Sequence, residues 1–356
     1  MHEFLSKAVE DKSIVWFKAS NNYIILEEIA AQLVHQILEN KTPQKIASTL
    51  AEKLTISEQE AIKAVHDLNN RIVIPNTTKS KEEQTSKSKY VLPTSFAFQK
   101  HYHIHNKVFK VEFSNEFQLS LLHPKFAHLE IQETSKIEHT FQVFNANHLI
   151  HLVLDGECIG SWEAKNIHYF QGKFSMKIIE CIYTKSEAEW MGVFHASAVN
   201  YNDENILILG DSGNGKSTSL ALLQAQGFQC IADDFVPIDQ AQNVYSFPAG
   251  ISIKKNALPV LLEEYPELET SAEYHYERLN KTVRYLPPQK IDYSKAAPCK
   301  ALVFIKYDAT IDFEISKMSK LKAFEHLVPD SWISSSPKNA ASFLDWFEKM
   351  PCYQLT

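Results

Sequence analysis

The sequence predicts an α/β domain with a β-rich lobe, preceded by a small α+β, winged-helix-like domain. Three observations carry that prediction. An apolar run at 206–209 feeds a Gly-rich turn and then a helix-forming stretch, the order of a βαβ unit. Residues 93–190 contain short runs in which apolar and polar side chains alternate, as they do on half-buried strands. The stretch 76–89 has no large apolar residue and separates both from the N-terminus.

In the N-terminal part, residues 1–75, Ile14–Phe17 and Tyr23–Leu26 read as two strands around the turn Ser20-Asn21-Asn22. A helix follows from Glu27 to Glu39. Thr42-Pro43 supplies an N-cap and a first helical position for a second helix through Leu54. Ser57-Glu58-Gln59-Glu60 is a capping box that opens a third, running to Arg71. The first two helices, Leu-Glu-Glu-Ile-Ala-Ala-Gln-Leu-Val-His-Gln-Ile-Leu and Thr-Pro-Gln-Lys-Ile-Ala-Ser-Thr-Leu-Ala-Glu, resemble the PqqD family, the precursor-peptide recognition domains of ribosomal peptide modification systems. The resemblance implies a leader peptide as partner, added as an extra strand at the hairpin edge beside a helix. DNA is a poor match: the helix Glu58–Arg71 sets Glu58, Glu60 and Asp67 against Lys63 and Arg71.

Residues 76–92 read as a flexible linker, too polar to bury a core of their own. The chain of 356 residues is 44% hydrophobic and 22% charged, an ordinary soluble composition. A net charge of −7 argues against generic nucleic-acid or membrane-surface binding. No apolar run reaches the length of a membrane span, and Met-His-Glu-Phe does not open a signal peptide. The five Cys are scattered without a C-x-x-C, which suits a reducing cytoplasm. Tyr353–Thr356 read as a strand, either at a sheet edge or at a point where a longer chain was cut.

The lobe, residues 93–190, is expected to hold strands at Phe109–Phe113, Phe141–Phe144, His151–Leu154 and Lys173–Ile178, with a hairpin turn at Asp155-Gly156. His101, His103 and His105 fall on one strand face. They have the spacing of metal ligands, but no fourth ligand is in view, and a surface strand is the favoured reading.

Residues 191–356 hold the chemistry. Gly210-x-x-x-x-Gly215-Lys216-Ser217 is the P-loop pattern, and three of the chain's 9 Gly fall inside it. Backbone N–H groups of such a turn cradle phosphates, the Lys reaches the outer phosphates and the Ser takes Mg²⁺. Gly210, Asp211, Ser212, Gly213, Asn214, Gly215, Lys216, Ser217 and Thr218 are therefore the expected ATP-binding residues. A helix runs to Gly227, and Phe228–Ala232 returns as a second strand ending on Asp233-Asp234. If both strands end on one edge, these carboxylates arrive beside the loop, one to hold Mg²⁺ and one to act as general base. Elsewhere the pair would read as a helix N-cap and a solvated neighbour. Alone, His195 reads equally as a packed core residue. Arg284 and Lys281, ahead of Tyr285-Leu286-Pro287, read either as phosphate-binding cations or as an ordinary surface pair.

Phe194-His195-Ala196, an apolar strand, Gly-Asp-Ser-Gly-Asn-Gly-Lys-Ser, a helix ending at Gly227 and Ile-Ala-Asp-Asp together resemble HPr kinase/phosphorylase and its related kinases, in the P-loop superfamily that includes ATP-dependent phosphoenolpyruvate carboxykinase. The resemblance implies a P-loop kinase domain of HPr kinase type, with ATP and Mg²⁺ as cofactors. It assigns Asp233 and Ser217 to the metal and Asp234 to deprotonating the acceptor. His195 is placed near the transferred phosphoryl or in orienting Asp234, and Arg284, with Lys281 second, near the phosphates. The Glu-Ile-Arg-Gly-type segment that follows the Asp pair in true HPr kinase/phosphorylases is missing. HPr itself, the reverse reaction and a second metal carboxylate are therefore not carried over.

The whole reads as a cytoplasmic ATP-dependent kinase that phosphorylates a Ser or Thr hydroxyl on a peptide or small protein held by the N-terminal domain, in ribosomal peptide modification. A nucleotide-gated peptide-binding protein without transfer, and a kinase of free serine or a sugar, are the alternatives. Assembly into a homo-oligomer is compatible with the pattern.

Overall fold

The computed structural model describes residues 4–78, 90–276, 281–289 and 291–356. It is a mixed α/β structure with several sheets, and its contacts divide it into two units. One draws its described residues from Met1–Glu83 and Lys317–Cys352, the other from Gln84–Ser316 and Tyr353–Thr356.

The first unit opens with a three-stranded antiparallel meander, β1 (Phe4–Val9), β2 (Lys12–Phe17) and β3 (Asn22–Glu27). The strand β1 has no clean alternation and was not anticipated from sequence. Three helices follow, α1 (Glu28–Leu38), α2 (Pro43–Leu54) and α3 (Glu58–Leu68). The Ser57–Glu60 capping box forms in both directions. After α3 the helix widens into a π turn over Asn69–Val73 and closes with Ile74–Thr77. Pro75, which has no N–H to offer the carbonyl four residues back, accounts for the loosened turn.

The continuous run Ile14–Phe17 is buried because both faces of the meander are covered. Val15 and Phe17 pack with Leu26, Ala31, Val34 and Val73 on the side of α1. On the other face Tyr23 meets the rings of Phe324 and Phe343 at 6.0 and 5.3 Å, from helices Lys320–Leu327 and Pro337–Lys349. The sequence reading placed 317–352 in the C-terminal domain; the structure gathers them onto this sheet. Asn76, read as the start of the linker, is buried. Its Oδ1 accepts from Ser20 Oγ at 3.0 Å and Asn22 Nδ2 at 2.8 Å. Residues 79–89 of that expected linker lie outside the described residues.

The second unit contains a six-stranded sheet from Phe98 to Glu163, including the expected strands near 109, 141 and 151. Asp155 and Gly156 turn its last hairpin with φ of 50° and 85°, as a type I′ turn requires. Lys173–Ile178 is not a strand but part of the helix Ile167–Tyr183. Phe170, Phe174, Ile178 and Ile182, spaced by four, are buried; the alternation at 174, 176 and 178 is a coincidence within that longer period.

A larger sheet carries the Gly-rich loop. Its order runs Gln229–Ala232, Ser197–Tyr201, Glu204–Leu209 and Ala297–Ile305, then Asn243–Val244, Val236–Asp239 and Trp190–Phe194. The strand before the loop and the strand after its helix are thus parallel but not adjacent: Ser197–Tyr201 lies between them, antiparallel to both. The helix Lys216–Ala225 buries Leu220 and Ala221 between Ile208 and Ile305 of this sheet and Ile251, Ile253 and Leu286 of a small three-stranded one. It ends in a Schellman motif, with Gly227 at φ 89° and Phe228 N–H on Leu223 O at 3.1 Å. The strand Cys352–Leu355 pairs with Ala297–Ile305 and with Ile315–Lys317, so it lies inside its sheet rather than at an edge.

Candidate functional site

Gly210, Gly213 and Gly215 all take positive φ, at 139°, 103° and 94°. At Gly210 a Cβ would overlap the carbonyl oxygen of Ile305 on the neighbouring strand, so only glycine fits where the strand enters the turn. The turn feeds directly into the helix Lys216–Ala225, whose N-cap is Gly215. Lys216, 6% exposed, folds its ammonium back onto the Gly210 carbonyl.

The antiparallel strand Ser197–Tyr201 explains how distant residues meet. Ser197 lies opposite Ile208 near the end of the loop strand, and Ala198 opposite Ala232 at the end of the returning one. His195, two residues ahead of Ser197, and Asp233-Asp234, just past Ala232, therefore arrive at the loop together.

Asp233 is 3% exposed and sits at the centre. Its Oδ1 accepts from Ser197 Oγ at 2.6 Å, and its Oδ2 from Ser217 Oγ at 2.9 Å and Ser252 N–H at 2.9 Å. Burial, and after it the neighbouring Asp234 charge, push the Asp233 carboxyl up to about 6 despite those donors. Asp234 has a positive φ of 63°, uncommon for a residue other than glycine. His195 Nε2 stands 3.8 Å from Asp234 Oδ1, and both side chains are partly open to solvent, at 40% and 35% exposure.

Four lysines surround these acids. Lys254 donates to Ser212 Oγ at 2.9 Å, and burial followed by the Lys281 and Lys216 charges holds its ammonium below the usual lysine range. Lys125, from the helix Glu116–Phe126 of the lobe, is lowered chiefly by burial, with Asp234 and Asp233 opposing and Lys281 adding to the shift. Its backbone carbonyl accepts from Gly250 N–H at 2.8 Å, which ties the lobe to the start of the small sheet. Lys281 lies on that sheet.

Arg284 is not among these groups. Opposite Ile253 on the other face of the small sheet, its guanidinium donates to the carbonyls of Leu268 (2.9 Å), Glu269 (3.1 Å) and Ser271, and reaches Glu273 at 3.3 Å. The side chain expected to serve phosphates instead closes off the segment 268–273. Sequence reasoning passed over Ser197, Ser252, Lys125 and Lys254. Ser252 and Lys254, alternating with Ile251 and Ile253, were the one available signal for the small sheet; Lys125 has none, since it comes from another lobe.

His101 and His103 share a strand face, one buried and the other exposed, but His105 leaves the strand in a turn with φ 57°. Among the described residues no group of three or more His, Cys, Asp or Glu is arranged to hold a metal. No described helix is long and apolar enough to cross a membrane. All five Cys are free and four are buried. In the first unit, a groove of about 550 Å³ runs between β1 and α1, lined by Ala8, Lys12, Ala31, Gln32, His35 and Lys41 among others.

Comparison of the chain with family models and with curated proteins finds no match to either.

Proposed function

We propose that the chain is an ATP-dependent kinase of HPr kinase type that phosphorylates a Ser or Thr hydroxyl of a peptide or small protein. The observation that carries this reading is the meeting of His195, Asp233, Asp234 and Ser217 at the mouth of a loop with Lys216 at its base. A loop that only senses nucleotide needs the lysine and a metal ligand but no half-exposed carboxylate paired with a histidine.

The residues present fit a magnesium ion carried in with ATP. Ser217 Oγ and Asp233 are hard oxygen donors 2.9 Å apart, and Asp233 is a buried carboxyl that a cation would return to its charged form. Bound there, Mg²⁺ supplies charge neutralisation at the β- and γ-phosphates. The loop N–H groups and Lys216 hold the phosphates, and Lys254, fixed on Ser212, stands at the rim. Asp234 takes the acceptor's proton as the hydroxyl oxygen bonds to the γ-phosphorus, while the bond from that phosphorus to the β–γ bridging oxygen breaks and ADP leaves. His195 holds Asp234 in place and stabilises its charge.

The groove beside β1 and α1 supports recruitment of an extended peptide of the leader type, in keeping with the PqqD resemblance. The deciding experiment incubates the protein with γ-labelled ATP, Mg²⁺ and candidate precursor peptides. Label in a peptide, lost in Asp234→Asn, sustains the reading. ATP binding without transfer to any peptide, free serine or sugar moves the assignment to a nucleotide-gated peptide-binding protein.

A further inference from the structure

We infer that Lys125 and Lys281 form an anion subsite beside Asp234, so that the accepted hydroxyl is carried next to a carboxylate or phosphate of its own. The inference rests on reading the Gly-rich loop as the nucleotide site.

The lysines fall into two pairs. Lys216 and Lys254 are fastened to the loop, on the Gly210 carbonyl and the Ser212 hydroxyl. The ammonium groups of Lys125 and Lys281 have no hydrogen bond or ion pair among the described residues, although both residues are partly buried. Register sets their positions. Ser252 lies opposite Tyr285 and Lys254 opposite Val283, so Gly250, Ser252 and Lys254 share one face with Tyr285, Val283 and Lys281. Lys125 comes to that same face, since a Cβ on Gly250 would lie 3.1 Å from Tyr285 Cβ and 3.6 Å from the Lys125 carbonyl oxygen. Ser252 belongs to this face as well; its N–H holds Asp233, and its buried hydroxyl has no partner among the described residues.

The neighbours along the face follow from which charges feel one another. Lys254 responds to Lys281, Lys216 and Asp234, and Lys125 to Asp234, Lys281 and Asp233. Lys216 thus neighbours Lys254, while Lys281 and Asp234 lie within reach of both Lys254 and Lys125. Donor phosphates fill the end fastened to the loop. The other end, two unpaired cations beside the proposed base, is left for the acceptor. Such a pair costs free energy until an anion joins it, and favours an acceptor that brings one.

The test titrates inorganic phosphate into the full chain saturated with Mg²⁺ and a non-hydrolysable ATP analogue. One further phosphate per chain is expected, weakened about tenfold or more in Lys125→Gln and in Lys281→Gln while analogue affinity is unchanged. Free serine and a Ser-Glu peptide then compete for it; displacement by either supports the subsite and identifies the carrier, and displacement by neither overturns it. No second phosphate, or one indifferent to both lysines, also overturns it. Should the analogue fail to bind at all, the nucleotide reading falls. Phosphate is then titrated into Lys216→Ala, where a site dependent on Lys125 still sustains the inference and its absence ends it.

Discussion

Ser217, in the first turn of the helix that the loop opens, donates its hydroxyl to Asp233 at 2.9 Å. The two groups proposed to hold Mg²⁺ already touch, so the cation inserts into an existing contact. Ser217→Ala and Asp233→Asn should each weaken Mg²⁺-dependent nucleotide binding by about tenfold or more, at a cost of roughly 1.5–3 kcal/mol for a hydrogen bond to a charged group. Calorimetric titration of ATP with and without Mg²⁺ checks this. An equal loss in both conditions would refute a metal role.

Asp234→Asn keeps the size and the left-handed backbone tolerance of aspartate but cannot accept the acceptor's proton. Phosphoryl transfer should fall by about 10²–10⁴-fold with ATP affinity intact. His195→Gln should lower transfer less and shift its pH profile, as a residue acting through Asp234 would.

Asp233 gives stability a pH dependence of unusual sign. Its carboxyl is raised from 3.8 to about 6, so between those values the folded chain keeps a proton that the unfolded chain has released. Stability therefore falls as pH rises through that window, by up to about 3 kcal/mol from this group. Asp233→Asn removes the contribution. Urea midpoints of both proteins between about pH 4 and pH 7 isolate it, and wild type should lose ground to the variant as pH increases.

Two glycines of one loop should behave differently. At Gly210 a side chain meets the Ile305 carbonyl, whereas at Gly213 a Cβ meets nothing within 4 Å. Gly210→Ala should lower the melting temperature and abolish nucleotide binding. Gly213→Ala, bearing only backbone strain of about 1 kcal/mol, should fold and bind more weakly. Equal melting temperatures would contradict the geometry.

Arg284→Lys should cost stability rather than affinity for ATP. Three carbonyls and Glu273 share one planar guanidinium, which an ammonium cannot serve at once. A loss of about 1–3 kcal/mol in urea unfolding, with the KM for ATP unchanged, is expected.

What could be read from the sequence followed from how local each signal is. The loop glycines, the helix, its Gly227 stop and the Ser57 capping box are set within a few residues, and each was legible. The meeting of His195 with Asp234 needed a strand order that local pattern does not contain: the inserted strand Ser197–Tyr201 brings them together. Lys173–Ile178 was misread because six residues suit both periods, and only the longer spacing from Phe170 to Ile182 decides. Arg284 and Lys281 looked alike in sequence, three positions apart. Strand alternation puts them on opposite faces, and that parity depends on a register set by Ile251–Lys254.

The meander of the first unit also has a consequence for synthesis. Tyr23 waits for Phe324 and Phe343, which leave the ribosome some three hundred residues later. Until then one face of β2 and β3 is uncovered, so the first unit is completed only when the helices Lys320–Leu327 and Pro337–Lys349 have been made. Removing the first 75 residues would likewise strip the cover from Phe324, Phe343 and their helices at the other end of the chain.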